Sequence, residues 1–86
     1  MRLDKYLKVS RIIKRRTVAN EACSQGRVFL NGKTAKPGSE VKTGDIISIQ
    51  FGDRQRRYEV LAVSEHVPKE GAALMYREIG DDREQP

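Results

Sequence analysis

The spacing of the apolar residues changes near residue 26, and this change limits the possible folds more than any other feature of the chain. If residues 2–9 form an α-helix, Leu3, Tyr6 and Leu7 share one face. From residue 27 onward apolar and polar residues alternate instead, which is the two-residue period of a β-strand. The sequence therefore predicts an α+β fold, in which two N-terminal helices pack on a small antiparallel sheet.

A second helix is predicted to begin after Thr17, because threonine is a common N-cap residue. Gly26 is a natural C-terminal stop for this helix. Between the helices lies "RIIKRR", in which Ile12 and Ile13 are expected to fill the core while the basic residues stay exposed. A helix in this position gathers four residues into one apolar stripe: Val18, Ala19, Ala22 and Cys23.

Three or four short strands are predicted after the helices. In "RVFLNGKTAK" the Asn31-Gly32 pair supplies the positive φ angles of a tight hairpin turn. "IISIQF" is rich in β-branched and aromatic residues, and "RQRRYEVLAV" returns after a turn as an alternating strand. Each of these segments is short, as expected of a small sheet.

The C-terminal residues carry a weaker pattern. "GAALMYREI" is predicted to form a short helix and "GDDREQP" a disordered acidic end. We therefore predict a domain at residues 1–63, which includes its strand extension, and a short tail at residues 64–86 that is partly helical or disordered. A chain of 86 residues has room for one small core and none for a separate catalytic domain.

The charge is distributed unevenly along the chain. Residues 1–42 carry eleven Lys and Arg against three Asp and Glu, a net charge of +8, whereas residues 43–86 carry six against nine, a net charge of −3. This asymmetry predicts one basic surface that binds a polyanion. With Cys23 as the only cysteine and no run of about twenty apolar residues, we expect a cytoplasmic protein without a membrane segment.

The basic residues form two candidate RNA-binding sets. A lysine-rich helix face is often only solvated surface, but here the basic run continues to the start of the second helix, where free N–H groups favour anions. Hairpin residues often serve only turn chemistry, and Asn31 has that role available. The first set is Arg2, Lys5, Lys8, Lys14, Arg15 and Arg16, and the second is Arg27, Asn31, Lys33 and Lys36. In a third group, Arg54, Arg56 and Arg57, an RNA contact and a solvated or edge-protecting role are equally consistent with the pattern.

Catalytic motifs are absent from the sequence. His66 is the only histidine, which argues against a histidine-rich metal site, and Cys23 falls on an apolar stripe, which favours a buried thiol. The glycines are scattered singly and form no phosphate-binding loop. Most aromatic residues fall at positions that face the core, so we expect packing rather than base stacking. The sequence thus predicts a protein that is not an enzyme and that holds no cofactor or metal.

Four stretches follow one another in residues 1–51: "RLDKYL", "KRRT", "GRVFLNGK" and "VKTGDIISI". In this order they resemble the S-four RNA-binding domain, also called the alpha-L RNA-binding motif. The "RRYEVLAV" extension, the "AALMYREI" tail and the length are similar to the RqcP family, also called YabO-like, which is related to the heat-shock-protein-fifteen group. The domain family is built of paired helices on a small sheet, as the residue pattern predicts independently.

The resemblance implies a non-enzymatic factor of bacterial ribosome-associated quality control. Such a factor binds large-subunit rRNA and peptidyl-tRNA on an obstructed large ribosomal subunit, and supports C-terminal alanine tailing by the RqcH tailing factor. Arg16 is our first choice for an RNA contact, because it precedes the predicted N-cap and matches the basic position of the family motif, and Arg2 is our second choice. We expect a ribosome-associated protein that is a monomer off the ribosome.

Three alternatives remain at the level of the sequence. The first alternative to the quality-control role is a heat-shock-type or general RNA-binding and chaperone protein acting on ribosomes or tRNA. The second is a minimal enzyme acting on RNA, and the third is a protein–protein adaptor. The lack of a nucleophile or cofactor loop argues against the enzyme. The adaptor leaves the net charge of +8 in residues 1–42 unexplained.

Overall fold

The structure is a computed structural model that describes residues 1–64, 71 and 74–81. Two helices precede five strands, so the predicted α+β fold is confirmed, with more strands than the expected three or four. Neither helix is long and apolar enough to cross a membrane. The elements are α1 (Leu3–Val9), α2 (Arg16–Ser24), β1 (Val28–Leu30), β2 (Lys33–Thr34), β3 (Ile46–Phe51), β4 (Arg54–Val60) and β5 (Tyr76–Asp81).

Helix α1 is held by its apolar face. Leu3, Tyr6 and Leu7 are fully buried, as the periodicity predicts. Seven residues are too few for a stable helix in water, so α1 depends on tertiary contacts. Two of them are hydrogen bonds: the Leu3 N–H donates to the Ser39 carbonyl at 2.8 Å, and the buried Tyr6 hydroxyl donates to the Met75 carbonyl at 2.7 Å.

The connection between the helices is a tight turn. Arg11 adopts a left-handed conformation with φ 65°, and the Ile13 N–H donates to the Leu7 carbonyl at 3.0 Å, which ends α1. Ile12 and Ile13 are partly buried and pack against the core, as predicted. The turn therefore brings residues 14–16 back alongside α1.

Helix α2 begins earlier than Thr17. Arg16 is its first residue and Arg15 its N-cap, so the predicted Thr17 N-cap is wrong. Val18 is 44% exposed, which also corrects the predicted apolar stripe. The buried residues of α2 are Ala19, Ala22 and Cys23. They occupy positions i, i+3 and i+4, which lie on one face of a helix, and Val18 lies at the edge of that face, in contact with solvent. The expected stop is confirmed at Gly26, which has φ 74°.

The sheet is antiparallel throughout, in the order β2-β1-β3-β4-β5. Asn31 and Gly32 both have positive φ, 53° and 84°, and connect β1 to β2 as predicted. One face of the sheet packs against the helices through a buried row that includes Val28, Ile47 and Ile49. The helices and this face share one hydrophobic core.

Strand β5 differs from the sequence prediction. Residues 76–79 were predicted to be helical, but they lie in a strand that pairs with β4 from Tyr76 opposite Val60 to Asp81 opposite Arg56. Cross-strand ion pairs stabilise this strand: Arg56 to Glu78 at 2.6 Å and Arg77 to Glu59 at 2.6 Å. Part of the predicted tail is thus an edge of the sheet, whereas residues 65–70, which include His66, residues 72–73 and residues 82–86 lie outside the described residues.

Candidate nucleic-acid interface

A buried carboxylate at the start of α1 organises the basic surface. The Asp4 side chain is 3% exposed, and its Oδ1 accepts the Lys5 backbone N–H at 2.8 Å. Arg2 donates to both carboxylate oxygens, from Nε at 3.2 Å and from Nη2 at 3.3 Å. From α2, Asn20 Nδ2 donates to Oδ2 at 3.3 Å and Arg16 Nη2 lies 3.6 Å from Oδ1. One carboxylate thus joins side chains from both helices.

The electrostatic environment keeps Asp4 ionised. Burial raises the pKa of the Asp4 carboxyl. The hydrogen bonds from Arg2 and Asn20 and the positive charges of Arg16 and Arg2 together lower this pKa by more than burial raises it. The net result is a pKa below the usual range for aspartate. Because one negative charge faces two guanidinium groups, the cluster as a whole is positive.

Arg2 and Arg16 are fixed but remain accessible. Their side chains are 55% and 48% exposed, so each guanidinium has donors left for a ligand. The adjoining open groove has a volume of about 420 Å³ and is lined by Asp4, Arg16, Thr17, Asn20 and Glu21. Sequence reasoning selected both arginines but missed Asp4 and Asn20, since no local spacing connects residues sixteen positions apart.

The N-terminus of α2 lacks the usual compensation for its dipole. Its N-cap, Arg15, makes no side-chain capping hydrogen bond, and the first turn holds no acidic residue. Lys14, Arg15 and Arg16 are all exposed at this end. The positive charges of these side chains and the positive end of the helix dipole repel each other. A bound anion at this end would interact favourably with both.

The other predicted residues extend over two neighbouring regions. Lys5 is half-buried and Lys8 exposed on α1, away from its apolar face. On the β1–β2 hairpin, the side chain of Asn31 serves the fold: Nδ2 donates to Asp45 Oδ1 at 3.1 Å, and Oδ1 accepts the Ile46 N–H at 2.9 Å. Asn31 therefore has the turn role that its position offered, and its contact with RNA stays a prediction. The hairpin residues Arg27, Lys33 and Lys36 are exposed.

The third arginine group divides between two surfaces. Arg56 is paired with Glu78, whereas Arg57 is half-buried on the neighbouring position of β4. Because β5 covers the side of β4, β4 is an interior strand and the edge-protecting interpretation of this group is wrong.

The remaining candidates behave as structural groups, with two exceptions. Cys23 is buried, and burial raises the pKa of its thiol to about 11, as expected of an unreactive core cysteine. Tyr6 and Tyr58 lie in the core and Tyr76 packs against it, so most of the aromatic residues face the core as predicted, whereas Phe29 is outside the core cluster and Phe51 is 42% exposed. Within the described part of the chain, no three metal-binding side chains come together.

Comparison with known proteins identifies the family. A family model described as the S4 domain matches residues 1–47. An "RQC P-site tRNA stabilizing factor" of Listeria monocytogenes is 52% identical over 83 residues, covering 96% of this chain and 90% of the relative. A protein of the same description from Bacillus subtilis is 46% identical over 83 residues, covering 96% of each. The trimeric structure of heat shock protein 15 from Vibrio cholerae matches with a TM-score of 0.81 and 32% identity, covering 91% of this chain and 80% of that one. The chain therefore belongs to the S4 domain family and, within it, to the family of RQC P-site tRNA stabilizing factors.

Proposed function

We propose that this chain is a non-enzymatic RNA-binding factor of ribosome-associated quality control in the bacterial cytoplasm. It binds large-subunit rRNA and peptidyl-tRNA on the obstructed large subunit, and supports alanine tailing of the stalled chain by the RqcH tailing factor. The name of its relatives, RQC P-site tRNA stabilizing factor, supports this role. The observation that carries the proposal is the Arg2–Asp4–Arg16 cluster beside the uncapped start of α2.

The cluster is suited to a phosphate of folded RNA. A guanidinium offers two parallel N–H donors to a phosphate, and Asp4 already holds Arg2 and Arg16 in place before the RNA arrives. Less side-chain entropy is therefore lost on binding. Lys14 and Arg15 add positive charge at the same helix end, and the basic hairpin residues extend the contact. Binding of this kind recognises the shape of the backbone and requires no reaction at any protein side chain.

Arg16→Ala is the variant that tests the surface. Asp4 keeps its hydrogen bonds from Arg2 and Asn20 in this variant, so the domain stays folded. We expect weaker binding to the large subunit and a salt dependence whose log–log slope falls by about 0.7–0.9, the loss of one phosphate contact. The matched control is Arg77→Ala, which removes the same charge from an exposed side chain of β5 that belongs to none of the predicted RNA-binding groups.

The assay is co-sedimentation with purified large ribosomal subunits, with and without bound peptidyl-tRNA, at several salt concentrations. A preference for the subunit that carries peptidyl-tRNA, weakened by Arg16→Ala and not by Arg77→Ala, supports the proposal. Unchanged binding by Arg16→Ala at physiological salt would remove this surface from the mechanism.

A heat-shock-type role is the second candidate, because the fold also matches heat shock protein 15 of Vibrio cholerae over 91% of this chain. Equal affinity for empty subunits, peptidyl-tRNA-bearing subunits and other structured RNA would favour a general RNA-binding or chaperone role. The proposed state off the ribosome is a monomer, which sedimentation velocity tests directly.

A further inference from the structure

The face of the sheet opposite the helices carries an aromatic and basic row. Side chains alternate along strands, and Ile47 and Ile49 of β3 are buried on the helix side, so Ser48 between them faces the other way. In the ladder Ser48 is flanked by Phe29 of β1 and Arg57 of β4. A row of Phe29, Ser48 and Arg57 thus crosses three adjacent strands; we call it the outer row.

The members of the outer row are not used by the core. Phe29 is partly exposed and lies outside the hydrophobic cluster, which includes its neighbour Val28 and against which Leu30 packs. Ser48, the smallest side chain of the row, is 8% exposed. Phe29 therefore presents ring surface that no core contact explains.

Arg57 differs from the neighbouring arginines in its partners. Arg56 is paired with Glu78, and Arg77 with Glu59, whereas Arg57 has no carboxylate partner among the described residues. Arg27 lies at the other side of the row, just before β1, and its carbonyl accepts the Gln50 N–H at 2.9 Å. Its side chain is exposed and also lacks a carboxylate partner among the described residues. Positive charge thus flanks the aromatic ring from two strands.

We propose that the outer row binds an unpaired nucleotide in a single-stranded segment of RNA. The base stacks on Phe29 above Ser48, and the flanking phosphates are neutralised by Arg57 and Arg27. Strands β1 and β4 are two strand spacings apart, about 10 Å, which leaves room for a nucleotide between the two guanidinium groups. Sheet faces with an exposed aromatic and nearby cations bind single strands in this way. The inference rests on the proposed RNA-binding function but assigns a second surface, on the opposite side of the sheet from α1 and α2.

A single strand fits this face better than a protein partner does. The core of a protein interface is depleted in charged residues, whereas here the aromatic ring lies between arginines without described carboxylate partners. Stacking also requires only one aromatic ring, and the outer row contains one.

The test measures binding of fluorescently labelled hexauridylate and hexaadenylate by anisotropy. Phe29→Leu keeps the apolar volume and removes the ring, and we expect it to weaken binding about tenfold, within the range for loss of one base stack. Phe29→Tyr keeps a ring and should retain the parent affinity within about twofold. Arg57→Gln should reduce the salt slope by about 0.7, as expected for one single-strand phosphate contact. Gln55→Ala on β4 is the matched control.

The outcomes separate this inference from the proposed function. Arg16→Ala should weaken subunit binding, and Phe29→Leu should weaken hexauridylate binding by the same factor in the Arg16→Ala background as in the parent. Hexauridylate affinity that depends on Phe29, together with subunit binding that ignores Arg16, would uphold the outer row and reject the helix surface. Affinity unaffected by both Phe29→Leu and Arg57→Gln would overturn the outer row. Self-association or protein binding lost in Phe29→Leu, with oligonucleotide affinity intact, would also overturn it and mark a protein interface.

Discussion

Replacing Asp4 by Asn keeps the size of the side chain and removes its charge, which tests whether Asp4 orients the arginines. An Asn side chain can still accept the Lys5 N–H through Oδ1. Its Nδ2 group, however, is a donor that would face Nη2 of Arg2 and Nδ2 of Asn20, which are donors too. The change therefore leaves the helices packed but replaces two attractive contacts by unfavourable ones.

The cost to stability follows from the exposure of each partner. Arg2 and Arg16 are about half exposed, so each ion pair contributes about 0.2–1 kcal/mol. The bond from Asn20 contributes about 1 kcal/mol. We expect Asp4→Asn to lower the free energy of unfolding by about 2 kcal/mol and Tm by about 10 °C for a domain of this size.

The effect on RNA binding has an informative sign. Removing a negative charge from a basic surface should strengthen RNA binding if Asp4 only neutralises the arginines. If Asp4 orients them, each guanidinium loses conformational freedom again on binding, at about 0.5–1.5 kcal/mol, and affinity for the subunit falls about tenfold. The control is Glu21→Gln, which removes the same charge from the same groove without a described arginine partner.

Thermal unfolding followed by circular dichroism measures the first effect and subunit co-sedimentation the second. Since folding lowers the pKa of Asp4, its contribution to stability is present above the unfolded pKa of about 4 and is lost as the pH falls through the folded value. The difference in Tm between parent and variant should therefore shrink below pH 4. A variant as stable as the parent at pH 7, or one whose affinity rises as it does in Glu21→Gln, would refute the orienting role.

Two further substitutions test single contacts. Arg15→Ser places a capping hydroxyl at the N-cap of α2, whose φ of −120° and ψ of 133° already suit it. We expect the free energy of unfolding to rise by about 1 kcal/mol and Tm by several degrees, while binding to the subunit weakens. Tyr6→Phe removes the hydrogen bond to the Met75 carbonyl, but this carbonyl still accepts the Leu61 and Ala62 N–H groups. Urea unfolding should therefore show a free energy of unfolding lower by about 1 kcal/mol. A decrease of more than about 3 kcal/mol would contradict the reasoning.

Features that depend on neighbouring residues were predictable from the sequence. The apolar face of α1 follows from the period of Leu3, Tyr6 and Leu7, and the β1–β2 turn follows from the tolerance of Asn31 and Gly32 for positive φ. The sequence also shows Arg2 and Arg16 to be members of a basic run, and their contact with RNA stays a prediction. In each of these cases the signal lies within a few residues of the feature.

Features that depend on distant residues were not predictable in the same way. Strand β5 pairs with β4 across a segment of more than ten residues, and the only sequence signal was the complementary charge of "RQRRYE" and "YREIGD" in antiparallel order. The predicted Thr17 N-cap is also wrong, since α2 begins at Arg16, whose guanidinium lies 3.6 Å from Asp4 of α1. Tertiary contacts here override a weak local preference.

Asp4 is placed differently from the acidic residues of β4 and β5. In β4 and β5, Glu59 and Glu78 lie at the surface and pair with arginines across the strands, so these charges cancel where they meet solvent. In the basic half, Asp4 is buried instead, where desolvation opposes its charge and only well-placed donors keep it ionised. A carboxylate that served only to neutralise Arg2 and Arg16 would meet no such penalty at the surface. Its burial between α1 and α2 is explained if its role is to hold two exposed guanidinium groups at a fixed spacing.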